Sequence, residues 1–173
     1  MREPGTGTSM CTPMTTTAHM NRRTAVLARV AKGAMKNRDA YEFFNGLDAS
    51  GNPLWTSDIA QRQAVFIHRG NCFRSSISYH PKSRRYFWIQ TLPGGDPVAG
   101  GGFGIYDAPE PWGPWTTVYF TEKWDVPPGE MSSFPTKWMG EDGRTLSLVF
   151  SGNDSFSVRK ATLANEDIRH LRK

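Results

Sequence analysis

The sequence predicts an all-β fold of antiparallel four-stranded blades, the units of a β-propeller, present in incomplete number. Two observations predict it. Short runs of β-forming residues alternate with turn chemistry, and one strand pattern recurs at a spacing of about 50 residues. The composition agrees: 17 glycines, 12 prolines and six tryptophans among 173 residues favour short strands and tight turns over long helices.

In chain order, Ala25–Val30 and Tyr41–Phe44 read as strands. They are joined by the polar stretch 32–39, which has room for one helical turn. Asp48, Gly51 and Asn52 supply a turn. A long irregular stretch is expected from Trp55 to Asn71. Then come strands at Arg74–Tyr79, Arg85–Thr91, Phe103–Tyr106 and Trp115–Thr121. They are separated by the turn at His80–Ser83, a glycine-rich loop from Pro93 to Gly102 and the turn at Ala108–Pro114. The pattern restarts with strands at Ser133–Trp138, Arg144–Phe150 and Phe156–Ala161, with a hairpin turn at Gly140–Gly143. The two units align with an offset of about 57 residues at their start and about 53 at their end.

Ala25–Val30 and Tyr41–Phe44 then stand as the third and fourth strands of an earlier unit. The chain is expected to hold about two to two and a half blades. Residues 1–23 read as a disordered leader and residues 24–173 as a partial propeller domain. A closed ring needs about four blades or more, so the expectation is either a piece of a longer protein or a partner that completes the ring. The alternative is a plain antiparallel sandwich with accidental repetition.

Several classes are disfavoured. The net charge is +5 with a pI near 9.4, but the basic residues are scattered and do not interleave with aromatics, which argues against nucleic acid. Cys11 and Cys72 lack zinc-ligand spacing, and His68 and His80 form no HxH or HxxxH pair, so no metal is expected. Gly100-Gly-Gly-Phe-Gly104 does not match a dinucleotide fingerprint, and no cofactor is expected. No apolar run reaches the ~18 residues that span a membrane, and no signal peptide is evident.

The segment Asp107-Ala-Pro-Glu-Pro-Trp-Gly-Pro-Trp115 resembles the motif after the third strand in five-bladed β-propeller glycoside hydrolases. Tyr41–Asp48, Trp55–Asp58, Ser133–Met139 and Phe150–Ala161 are similar to a narrower group within them. That group was first catalogued as a domain of unknown function, and some members are endo-acting arabinan hydrolases. The resemblance covers about Ala25 to Leu163. It implies a glycoside hydrolase-like propeller acting on a polysaccharide or oligosaccharide, and it implies secretion. Five-bladed glycosidases draw one catalytic carboxylate from the first blade, and this chain is expected to begin after that blade.

Blade geometry sorts the loops. Connections between strands two and three share one face with connections into the next blade, and the longer loops fall on that face. Glycoside hydrolysis needs two carboxylates. Glu130 is the leading candidate, because it follows Pro127-Pro-Gly129 and precedes an innermost strand; the alternative is a bond to a loop amide or Lys137. Asp58 is the second candidate, with turn capping as its alternative. Arg74 and Asp154 are candidate substrate-binding residues, against a structural salt bridge and an Asx turn. Lys137 alternates with Thr136 and Trp138 and can face the channel. Trp55 and Trp124 sit in expected loops and can stack on sugar rings. A non-catalytic carbohydrate-binding or interaction module is the alternative function.

Overall fold

Arg85-Tyr-Phe-Trp-Ile-Gln-Thr91 is rich in β-branched and aromatic residues, and it lies at the centre of the molecule. Phe87 through Thr91 are all buried. A strand buried on both faces needs a layer on each side, and the architecture follows from that need. The computed structural model describes residues 8–11, 24–68, 72, 75–92, 101–126, 129, 131–152 and 155–164.

The strands are β1 (Thr8–Cys11), β2 (Thr24–Val26), β3 (Ala28–Ala31), β4 (Glu42–Leu47), β5 (Pro53–Thr56), β6 (Ala64–Ile67), β7 (Ser75–His80), β8 (Arg85–Thr91), β9 (Phe103–Ala108), β10 (Thr116–Thr121), β11 (Ser132–Ser133), β12 (Thr145–Phe150) and β13 (Ser157–Thr162). Short 3₁₀ turns are the only helix among the described residues. The fold is all-β and every described strand pair is antiparallel. The sheets run β1-β3-β4-β5, β10-β9-β8-β7, β11-β12-β13 and β2-β6, and none closes into a barrel among the described residues.

The β7–β10 sheet is a meander with full ladders from Ser75 to Thr91 and on to Phe103–Ala108. Alternation along β8 sends its side chains to two cores. Phe87 and Ile89 enter one cluster with Phe134, Leu146, Leu148 and Phe150. Trp88 enters the other with Leu27, Phe44, Val65 and Tyr106. The β11–β13 sheet therefore covers one face of the central sheet, and the N-terminal strands cover the other. Each fully buried Phe, Leu or Ile contributes ~1.5–3 kcal/mol at these layers.

Four expectations are corrected. The stretch after Trp55 is not irregular throughout: Pro53–Thr56 pairs with β4, and Ala64–Ile67 pairs with β2. The N-terminal unit is a four-stranded sheet, and not two strands, because β5 adds beyond β4 and β1 adds beyond β3. Thr8–Cys11 lies within the segment read as disordered, and its register runs from Thr8↔Ala31 to Cys11↔Ala28. Finally, Ser133–Trp138 is not one strand. The ladder ends at Ser133, and Thr136–Trp138 forms a 3₁₀ turn entered at Pro135. Pro135 brings no N–H to a ladder, which stops the pairing there.

Candidate functional site

The edges of two sheets meet where β7 and β11 lie side by side. Ser76 Oγ donates to the Ser132 carbonyl at 2.5 Å. Farther along, Thr136 Oγ1 donates to the Tyr79 carbonyl at 3.1 Å. Sequence number increases along both segments between these two contacts, so they run in the same direction. They belong to different sheets.

Arg74 directly precedes β7, Glu130 lies just before β11, and Asp154 follows β12. All three lie outside the described residues, as does Asp96. The flanks of position 130 are firmly seated. Gly129 has φ +72°, and a Cβ there would come within 2.2 Å of the Ser151 carbonyl oxygen, so only glycine fits. Met131 N donates to Ser151 Oγ at 3.3 Å, and Ser151 N donates to the Met131 carbonyl at 3.1 Å. The approach to β11 is thereby stapled to the end of β12.

Asp58 is exposed and serves its own turn. Its Oδ1 accepts from Ala60 N at 2.8 Å and its Oδ2 from Gln61 Nε2 at 3.2 Å. Its own N–H donates to Thr56 Oγ1 at 3.1 Å. It caps the 3₁₀ turn Ile59–Gln61.

Trp55 and Trp124 belong to different cores, on opposite faces of the central sheet. Trp55 is a strand residue, not a loop residue. Its ring stands edge-on to Phe44 and Trp112 at 6.1 and 6.3 Å, with the Arg29 guanidinium 4.1 Å from its centroid. Trp124 packs against Phe103 at 4.5 Å and Phe150 at 4.8 Å. The Arg159 guanidinium lies 4.7 Å over the Trp124 ring and pairs in two bonds, 2.7 and 2.8 Å, with Asp125. That pairing holds the Asp125 carboxyl below its ordinary range. Both candidate stacking rings thus carry an arginine over one face. Lys137 is exposed on the 3₁₀ turn, its Nζ 6.0 Å from the Trp138 ring.

Two buried polar groups escaped the sequence reading. Asp107 is 2% exposed; it accepts from Arg85 Nε and from Thr116 Oγ1, tying β8, β9 and β10 together. Gln90 is fully buried beside His68 and Tyr106. Their signal was a polar residue inside an otherwise apolar strand. On the turn side of the molecule, His80 is fully buried and its Nδ1 accepts from Ser83 N at 3.1 Å. Burial holds its pKa below the ordinary value, against an opposing pull from Asp142.

Among the described residues, no cluster of three or more His, Cys, Asp or Glu can hold a metal, and no helix is long and apolar enough to cross a membrane. A scan against protein-family models finds no match, and a search of curated proteins finds none either.

Proposed function

We propose that the β7–β10 and β11–β13 sheets are consecutive propeller blades of glycoside hydrolase type, acting on a polysaccharide of the arabinan class. The observation that carries this reading is the side-by-side, same-direction arrangement of β7 and β11 in different sheets. Stacked blades put their first strands in that relation around a channel, whereas one continuous sandwich sheet would pair them in a ladder. Arg74 and Glu130 precede those two neighbouring strands in the sequence. Glu130 is the proposed general acid or base, Arg74 the proposed sugar or carboxylate contact, and Lys137 and Asp154 further proposed sugar contacts.

One observation favours the second reading, a carbohydrate-binding module without an acid–base pair. Asp58 has both carboxylate oxygens committed to its own turn, so within this chain it makes a poor partner for Glu130 across a scissile bond.

Release of reducing ends from arabinan tests the proposal. Glu130→Gln keeps size and hydrogen bonding but removes the titrating acid. Turnover is expected to fall ~10²-fold or more while sugar binding survives. Asp58→Asn is expected to leave turnover unchanged. Saturable sugar binding with no turnover in the unmodified protein would replace the hydrolase reading with the binding-module reading. Neither turnover nor binding would remove both.

A further inference from the structure

Phe120 is 41% exposed, and core packing does not account for its position. A register shift in β10 sets it there. Thr117 lies opposite Tyr106 and Phe120 lies opposite Gly104, with the irregularity between Thr117 and Tyr119. The bulge turns two residues three apart onto one face, which strict alternation would forbid. That face borders a cleft of about 290 Å³, shared with Phe66, Ile67 and His68 on the opposite wall and with Tyr106 and Trp115.

The polar groups of the cleft are oriented from beneath. Gln90 Nε2 donates to the Tyr106 hydroxyl at 3.3 Å and lies 3.1 Å from His68 Nδ1. The Tyr106 oxygen accepts, so its own proton is left to donate. Burial raises the Tyr106 pKa, so the hydroxyl stays protonated. Gly104 makes space for this ring, since a Cβ there would come within 2.4 Å of the Tyr106 hydroxyl.

The chemistry of the lining selects a class of ligand. Among the described residues no carboxylate lines the cleft to balance a cation, in a protein of net charge +5. Among the described residues no Arg or Lys lines it to hold an anion. Ring faces beside the Tyr106 hydroxyl and the Trp115 indole N–H suit a ligand with an apolar C–H face and hydroxyls at its edge. We propose that this cleft binds one neutral sugar ring of a longer chain, as a site separate from the β7–β11 edges. The inference deepens the carbohydrate reading and rests on it for the polymer to which the ring belongs.

Titration of ¹⁵N-labelled protein with arabinotetraose tests it, with choline as the cationic comparison and the Trp115 indole N–H and the Phe120 amide as reporters. Saturable shifts at both reporters are expected with the tetrasaccharide and none with choline. Phe120→Ala, a change at an exposed side chain, should weaken binding ~10-fold or more. Tyr106→Phe, which removes only the hydroxyl, should weaken it ~3–10-fold. Lys82→Ala, in the turn after β7, should leave it unchanged. Saturation by choline, equal affinity in Phe120→Ala, or the absence of shifts at both reporters would each overturn the proposal. Arabinan turnover separates the two readings: cleft binding without turnover contradicts the hydrolase alone, and turnover without cleft binding contradicts the cleft alone.

Discussion

Single residues show how local chemistry decides conformation here. Arg84 closes the turn after β7 with φ +56°, a left-handed conformation that costs a residue with a Cβ ~1–2 kcal/mol. Its side chain is exposed and its N–H donates to the His80 carbonyl. Arg84→Gly keeps that bond and is expected to raise stability by ~0.5–1 kcal/mol in urea unfolding, part of the relief being offset by the freer unfolded chain. Nearby, His80 gives the fold a pH dependence. Its Nδ1 lone pair accepts the Ser83 N–H, and its Nε2 is buried without a partner among the described residues. The folded pKa is depressed from the ordinary 6.5, so the unfolded chain takes up the proton first. The contribution is present above pH 6.5 and is lost as pH falls through the folded value. Melting temperature should therefore drop between pH 7 and 5, and His80→Gln should flatten that slope. Asp142 does not confuse the window, because two backbone N–H bonds and the Thr145 hydroxyl hold its pKa at about 2. At this scale the sequence was readable where a side chain serves its neighbours. The capping alternative for Asp58 was visible in Ser57-Asp-Ile-Ala-Gln61, since Asp before a short turn satisfies free N–H groups. Gln90 and Asp107 were not readable as a network, because their partners lie 16 and 22 residues away.

At the scale of elements, one buried polar junction binds three strands of the central sheet. Arg85 begins β8, Asp107 lies near the end of β9, and Thr116 begins β10. Asp107 is 2% and Arg85 13% exposed at their side chains, so removing the carboxylate leaves a nearly buried guanidinium without its partner. Asp107→Ala is expected to cost ~3–5 kcal/mol by denaturant unfolding. A loss under 1 kcal/mol would mean that Arg85 reaches water without help. Strand reading succeeded where β-formers ran uninterrupted, as in Arg85–Thr91 and Thr145–Phe150. It failed at β5 and β6, which are only four residues each and sit either side of the Asp58 turn. It also overran at Trp138, because the alternation in Ser133–Trp138 mimics a strand although Pro135 ends the pairing.

At the scale of the molecule, the burial of the strands reports their place in the stack. β8 is buried on both faces, whereas β12 alternates between buried and half-buried and β13 between half-buried and exposed. Met131, Phe156 and Val158 are 55, 74 and 49% exposed, and the first two line one shallow cavity of about 400 Å³ with Val149. The protein should bind a hydrophobic dye at this face, and Phe156→Lys should reduce the fluorescence without lowering the melting temperature. The all-β, antiparallel character was legible in the sequence, because short runs of β-formers alternate with turn residues. The relation between the sheets was not, since it depends on which edges meet in space. β7 and β11 belong to separate stacked sheets and lie side by side in the same direction. Long-range nuclear Overhauser contacts measure this arrangement directly. Contacts are expected between Ser76 and Ser132 and between Tyr79 and Thr136, with no ladder of backbone N–H exchange between the strands. Contacts in the reversed order, Ser76 with Thr136 and Tyr79 with Ser132, would contradict it.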